Sequence, residues 1–215
     1  MKAGLATTLL AARQRCARQS FLMSSGASLS LRLPGDLEGL LFVRPGSSTA
    51  QQWAWNAKGD GVPVDISLHS TIYGLRDDVG AILVGGARFG TALAKLGGAM
   101  PVTFDEQARH LGRMRGPVAS ATDQTLSAAI SGGANAVLIG EVPVCLGTTC
   151  QRMVLNAELF EKCAKAYVLA AATGQAVTTL PWWVCRIAVG RLRKDERRAA
   201  QRFAQGMLPD EASGY

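Results

Sequence analysis

Pairable cysteines are the first thing this chain lacks. It has five (Cys16, Cys145, Cys150, Cys163 and Cys185), an odd number with no Cys-x-x-Cys pair. That excludes a disulfide framework and a zinc knuckle, makes small core residues of most of them, and points to a reducing cytoplasm. Histidine is scarcer still. His69 and His110 are the only two, and neither has a metal-ligating partner two to five residues on. A site formed from Asp65, His69, His110 and Cys145 would need the fold to bring them together, and a lone histidine is usually a hydrogen-bonded structural residue. No apolar run approaches the roughly 18 residues of a membrane span, so no membrane association is expected. The apolar start of the chain is interrupted by Arg13, Arg15 and Arg18 without a small-residue cleavage site, which reads as an amphipathic helix rather than a signal peptide.

Acidic residues are also in short supply, 16 against 23 Lys and Arg. Most of the excess sits near the C-terminus, where Arg186, Arg191, Arg193, Lys194, Arg197, Arg198 and Arg202 face only Asp195 and Glu196. Val184, Ile187, Ala188, Leu192, Ala199 and Phe203 recur there at helical spacing. The segment, about 184–206, therefore reads as an amphipathic helix with a solvated basic face rather than a nucleic-acid surface.

What is present is a chain of 215 residues, 48% hydrophobic and 18% charged, enough to bury one substantial core. No repeat or low-complexity linker divides it, so 1–215 is expected to be one domain. Residues 3–23 read as a helix. "SLSLRLP", "GLLFVRPG" and "GAILVG" read as strands, and "NAVLIGEVPVCLG" as two strands with a break near Pro143. "SLHSTIYGLR" and "FGTALAKLGG" read as helices. So does "TDQTLSAAISGG", with Thr122 or Asp123 as its cap. The longest helix starts at Thr148 or Thr149, carries Met153, Ala157, Phe160, Ala164, Tyr167 and Ala171 on its buried stripe, and stops at Gly174. Without a strict strand–helix–strand rhythm, the expected class is α/β with a largely antiparallel sheet.

"AILVGGARFG" invites a phosphate-cradle reading, and spacing removes it. A dinucleotide fingerprint needs Gly-x-Gly-x-x-Gly, and here Gly85-Gly86 is followed by Gly90. A Walker-type loop needs Lys-Ser/Thr after its last glycine, and here Thr91-Ala92 follows.

The order of the pieces is more informative. "SGASLSLRLPG", "LLFVRPG", "VDISLHSTIYGLRDDVGAILVGGARFGTALA" and "GANAVLIGEVPVCLGTT" with "LNAELFEKCAKAYVLAAATG" together resemble the class II aldolase/adducin family, over about residues 5–175. His69, Ile72-Tyr73, Arg76-Asp77-Asp78-Val79, Thr91-Ala92-Leu93 and Leu159-x-Glu161-x-x-Ala164 match its motifs. The resemblance implies a three-layer α/β/α sandwich around a central, largely antiparallel mixed sheet. It also implies a homo-oligomer, often a tetramer, with sites between subunits. In such a site three histidines hold a divalent metal that stabilises an enediolate while a carboxylate moves protons.

Set onto this chain, the His-x-His pair falls on Val84 and Gly86, and the third histidine falls near Val142. The proton-shuttling glutamate falls on Asp65. None of the three metal positions offers a donor, so no metal and no cofactor are expected. An asparagine of the family's phosphate site falls on Ser28, while Arg44 and Arg88 lie where a small anionic ligand could be clamped. Two functions follow. The first is a degenerate, metal-free and non-catalytic aldolase-like protein acting as an oligomeric binding or structural module. The second is a lyase or isomerase with altered, metal-independent chemistry on a sugar-phosphate or hydroxy-acid anion. Asp65 would be its base and Arg44, Arg88 and Ser28 its ligand contacts.

Overall fold

The computed structural model describes residues 2–35, 39–54, 62–119 and 123–211. Helix α1 (Lys2–Arg18) leads into strands β1 (Ser28–Arg32), β2 (Leu40–Val43) and β3 (Gln51–Trp53). Helix α2 (Val64–Leu75), strand β4 (Ala81–Val84), and the short helices α3 (Arg88–Ala92) and α4 (Asp105–His110) follow. The chain then runs through α5 (Asp123–Ile130), β5 (Ala136–Ile139), β6 (Val142–Gly147), α6 (Cys150–Ala171) and α7 (Trp182–Ala204).

The strands form one sheet in the order β3-β2-β1-β4-β6-β5, and every neighbouring pair is antiparallel. Alternate strand residues enter two different hydrophobic clusters. Leu29, Leu31, Leu41, Val43, Leu83 and Cys145 pack with α1 and α6. Leu40, Phe42, Ile82, Val84, Val144 and Leu146 pack with Ile66, Ile72 and Tyr73 of α2 and with Leu126 and Ile130 of α5. Each face of the sheet is thus covered by helices contributed from distant parts of the chain. No helix among the described residues is long and apolar enough to cross a membrane.

Several local expectations shift for identifiable reasons. Helix α1 ends at Arg18, not near residue 23: Phe21 N–H bonds back to Cys16 O, and Ser20 takes a positive φ of 61°. The break between the last two strands is the Gly140-Glu141 turn, not Pro143. Pro143 lies inside β6, where its carbonyl accepts from Gly85 N–H at 2.8 Å and its ring cannot return a bond. Strand β3 was not anticipated, because three largely exposed residues at a sheet edge leave no apolar alternation to read.

The long helix α6 is capped by Thr149, whose hydroxyl accepts from Arg152 N–H. Its buried stripe runs through Met153, Ala157, Phe160 and Ala164, and beyond Cys163-Ala164 the helix leaves the core, so Tyr167 and Ala171 are only half-buried. The basic helix spans 182–204, and Ile187 points outward. The docked stripe is Ala188, Leu192, Glu196, Ala199 and Phe203, with a glutamate in a core position. The cap expected of α5 at Thr122 or the Asp123 side chain lies outside the described residues.

Candidate functional site

Helix α2 lays a polar seam across β1 and β2. Asp65, His69 and Tyr73 follow one another at four-residue spacing and so share one helix face. In its first turn, Asp65 accepts a forked pair of bonds from Arg44, which directly follows β2: Nε to Oδ2 at 2.9 Å and Nη2 to Oδ1 at 3.0 Å. One turn on, His69 is fully buried between two serines of β1. Its Nε2 lies 3.1 Å from Ser28 Oγ and its Nδ1 lies 2.6 Å from Ser30 Oγ. Ser30 Oγ is also 2.8 Å from the Tyr73 hydroxyl, and Ser28 donates to Gly26 O at 3.3 Å.

One arrangement of hydrogens satisfies the shorter contacts of this chain, at the expense of the 3.4 Å approach of the Tyr73 hydroxyl to Gly80 O. Tyr73 O–H donates to Ser30, Ser30 to His69 Nδ1, His69 Nε2–H to Ser28, and Ser28 to Gly26 O. It requires a neutral imidazole, and burial pushes the His69 pKa down to about 3. Ser28 is therefore completely buried, with its hydroxyl committed to structure.

The row continues across the sheet. Ser28 pairs with Val84, and Val84 with Val144. At this end of β4 the chain passes through Gly85 and Gly86. Gly85 has φ of +136°, and a side chain there would meet Phe21 O at 2.4 Å. A side chain on Gly86 would meet the Pro143 ring at 2.5 Å. Helix α3 follows, and the carboxylate of Glu161, reaching over from α6, accepts from Phe89 N–H and Gly90 N–H at 2.7 and 2.8 Å. The amides that a phosphate would use already hold a protein carboxylate. The glycines of "AILVGGARFG" thus serve close contacts of the chain with itself.

The candidate residues fall in several places. Asp65 and Arg44 meet. Ser28 belongs to the His69 chain instead. Arg88 is exposed on α3, its guanidinium 5.9 Å from the Phe89 ring centroid. His69, His110 and Cys145 do not converge. His69 sits on the α2 side of the sheet and Cys145 in the cluster on the α1 and α6 side, while His110 Nδ1 lies 2.8 Å from Arg152 Nη1. Among the described residues, no group of three or more His, Cys, Asp or Glu is placed to hold a metal ion.

Sequence reasoning missed the most elaborate polar cluster. Arg76, at the end of α2, makes a forked pair with Asp78 at 2.7 Å for both bonds. It also donates to Asn135 Oδ1 at 3.0 Å, to Glu196 Oε1 at 3.1 Å and to the carbonyls of Ile130 and Ala134. All four side chains are buried. The sequence signal for it was the Arg76-Asp77-Asp78-Val79 motif, which carries two of its members but says nothing of Asn135 or Glu196. Burial raises the Glu196 pKa to about 7, against the pull of Arg76.

The family model for the class II aldolase and adducin N-terminal domain matches residues 36–168, more than half of the chain. This chain belongs to that family. No curated protein matches it in sequence. Among solved structures, an L-fuculose 1-phosphate aldolase is similar at 20% identity and a TM-score of 0.71, covering 88% of this chain and 96% of that one. YgbL from Escherichia coli is similar at 17% and 0.69, covering 84% and 95%. The L-fuculose-1-phosphate aldolase of Thermus thermophilus is similar at 18% and 0.63, covering 83% and 100%. At these identities the likeness speaks for the fold.

Proposed function

We propose that this chain is a degenerate, metal-free class II aldolase-like protein, non-catalytic, that works as an oligomeric binding or structural module in the cytoplasm. In this reading residues 1–215 form one unit with α/β/α layering, and the basic helix α7 completes it. The observation that supports it is the chemistry at the end of β4. Val84 and Gly86 stand where the family resemblance places two histidines, and neither offers a donor. The space above Gly86 is taken by the Pro143 ring, so a side chain cannot be restored there without displacing β6. Val142, near the third position, has no donor either. The residues present do not fit a metal.

A second reading, metal-independent chemistry on a small sugar-phosphate or hydroxy-acid anion, draws on one contact, that of Asp65 with Arg44. The same contact argues against it. The proposed base and the proposed anion clamp occupy each other, Ser28 is committed to His69, and no contact joins Arg88 to them.

The test is to dialyse the purified protein against zinc, manganese or iron and then against metal-free buffer, and to measure bound metal by elemental analysis. Far less than one equivalent is expected, and one divalent ion per chain would overturn the reading. The same protein, mixed in heavy water with small sugar phosphates and hydroxy acids, should exchange no carbon-bound proton above the buffer rate. Exchange that disappears in Asp65→Asn would favour the second reading instead.

A further inference from the structure

Helix α7 does more than dock. Between it and the segment 99–116 runs an open cleft of about 1380 Å³, lined among others by Arg113, Arg115, Arg186 and Arg193, with Trp182 at its edge. Among the described residues, no aspartate or glutamate lines it. The two acidic side chains of α7 are engaged elsewhere: Asp195 pairs with Arg109 and Arg198, and Glu196 with Arg76. No ion pair joins Arg113, Arg115 or Arg186 to a described carboxylate. Arg193 donates to Gly132 O and lies within the electrostatic reach of Glu196, so the positive charge that no described carboxylate pairs is that of Arg113, Arg115 and Arg186.

Its second property is aromatic. Trp182 is 74% exposed and Trp183 55%, the largest apolar side chains that this region leaves in water. Arg186 follows Trp182 by one helical turn and Arg193 follows Arg186 by two, so the three recur on one side of the helix. The sequence of α7 alone suggested only a solvated basic face. It could not show that Arg113 and Arg115, far earlier in the chain, stand across a groove from it.

We infer that this cleft binds single-stranded nucleic acid, RNA or DNA, without sequence preference. Arginine forks match phosphate oxygens, and an exposed indole offers a stacking face to any base. The cleft exceeds the several hundred Å³ of a usual small-molecule pocket, roughly 300–1,000 Å³, which favours a chain-like polyanion over a single phosphorylated metabolite. An acidic peptide would satisfy the arginines but would leave Trp182 without a stacking partner, so it is the poorer match. The inference is independent of whether the β4 end holds a metal.

The experiment is fluorescence anisotropy of labelled 12-nucleotide RNA and DNA with the intact protein, read with tryptophan quenching across a salt series. With four arginines engaged, log K should fall against log salt with a slope of roughly −2 to −3. Arg186→Ala with Arg193→Ala should flatten that slope by about 1.4, at about 0.7 for each phosphate no longer neutralised. Trp182→Ala should weaken binding about fivefold or more while leaving the slope unchanged. All three positions are exposed, so the variants should fold as the parent does. Arg197→Ala, on the same helix but outside the cleft lining, should have little effect. The inference falls if neither oligonucleotide binds at 50 mM salt, or if Arg197→Ala weakens binding as much as the cleft variants. It also falls if polyglutamate of equal charge competes as well as RNA, which would assign the cleft to acidic peptides.

Discussion

Two arginine–aspartate forks close the two ends of helix α2, and their geometry is nearly the same. Arg44 grips Asp65 at 2.9 and 3.0 Å, and Arg76 grips Asp78 at 2.7 Å twice. Their surroundings differ. The Arg44 and Asp65 side chains are 45% and 18% exposed, against 9% and 13% for Arg76 and Asp78. The first fork lies at the end of the sheet where the family resemblance puts the chemistry. The second lies where α2, α5, the approach to β5 and the C-terminal helix meet. In this chain the buried fork ties α2 to α5, the approach to β5 and α7, while the exposed one ties the start of α2 to the end of β2. Bond lengths alone would not have revealed this, because burial and the number of further partners decide what an ion pair is worth.

The strongest way to break the comparison is Arg76→Ala. It strands two buried carboxylates, Asp78 and Glu196, and removes donors from Asn135 and two backbone carbonyls. Breaking one partner out of such a cluster costs about 3–5 kcal/mol. The urea midpoint should fall accordingly, and α7 should become sensitive to proteolysis. A loss below about 1 kcal/mol, the range of surface pairs, would show that the network is decorative.

Acidity sharpens the contrast at the second fork. Glu196 has its folded pKa raised from 4.5 to about 7. The folded state therefore holds a proton that the unfolded state releases more readily. The stability this contributes is fully present below pH 4.5 and is lost as pH rises through about 7. His69 and His110 run the opposite way. Their folded pKa values fall from 6.5 to about 3 and about 4, so their contribution is present above pH 6.5 and is lost on acidification. Comparison with Glu196→Gln, which keeps an acceptor for Arg76, isolates the glutamate. Between pH 4.5 and 7 the variant should gain stability relative to the parent, measured by urea denaturation across that range. Parallel curves would mean that Glu196 is already ionised in the fold at low pH.

How much of this was legible in the sequence follows from the range of the interactions. The strands β1, β2, β4, β5 and β6, the helices α2 and α6, and the family itself could be read from apolar pattern and motif order, which are local signals. That Val84 and Gly86 carry no side-chain donor is also legible, because it needs only their identities. What fills that space was not. Pro143 over Gly86, Glu161 on the α3 amides and the serines around His69 are contacts between residues far apart in the chain, 39 for Ser30 with His69 and 72 for Glu161 with Phe89. Arg76 with Glu196 spans 120 residues, and a glutamate inside a basic helix reads as solvated until its partner is known. Pro143 was misplaced for a related reason. A proline marks a strand break only when the missing donor is needed, and here the strand β4 opposite it is ending.

The smallest expected effect is at the first fork, and it makes the control for the largest. Arg44→Ala leaves Asp65 at the N-terminal turn of α2, where Asp65 Oδ1 still accepts from Ile66 N–H at 3.0 Å and the helix dipole favours a carboxylate. Arg44 itself loses only a solvated pair and a place 5.1 Å from the Phe42 ring centroid. The expected cost is about 0.2–1 kcal/mol, several-fold below that of Arg76→Ala. Salt separates the two further. At 1 M salt the screening length shrinks to about 3 Å, so the Arg44→Ala effect should nearly vanish while that of Arg76→Ala persists. Urea titrations of both variants at low and high salt read this directly. If Arg44→Ala cost as much as Arg76→Ala and kept that cost in salt, the exposed fork would have to be holding something that the solvated geometry of Arg44 and Asp65 does not account for.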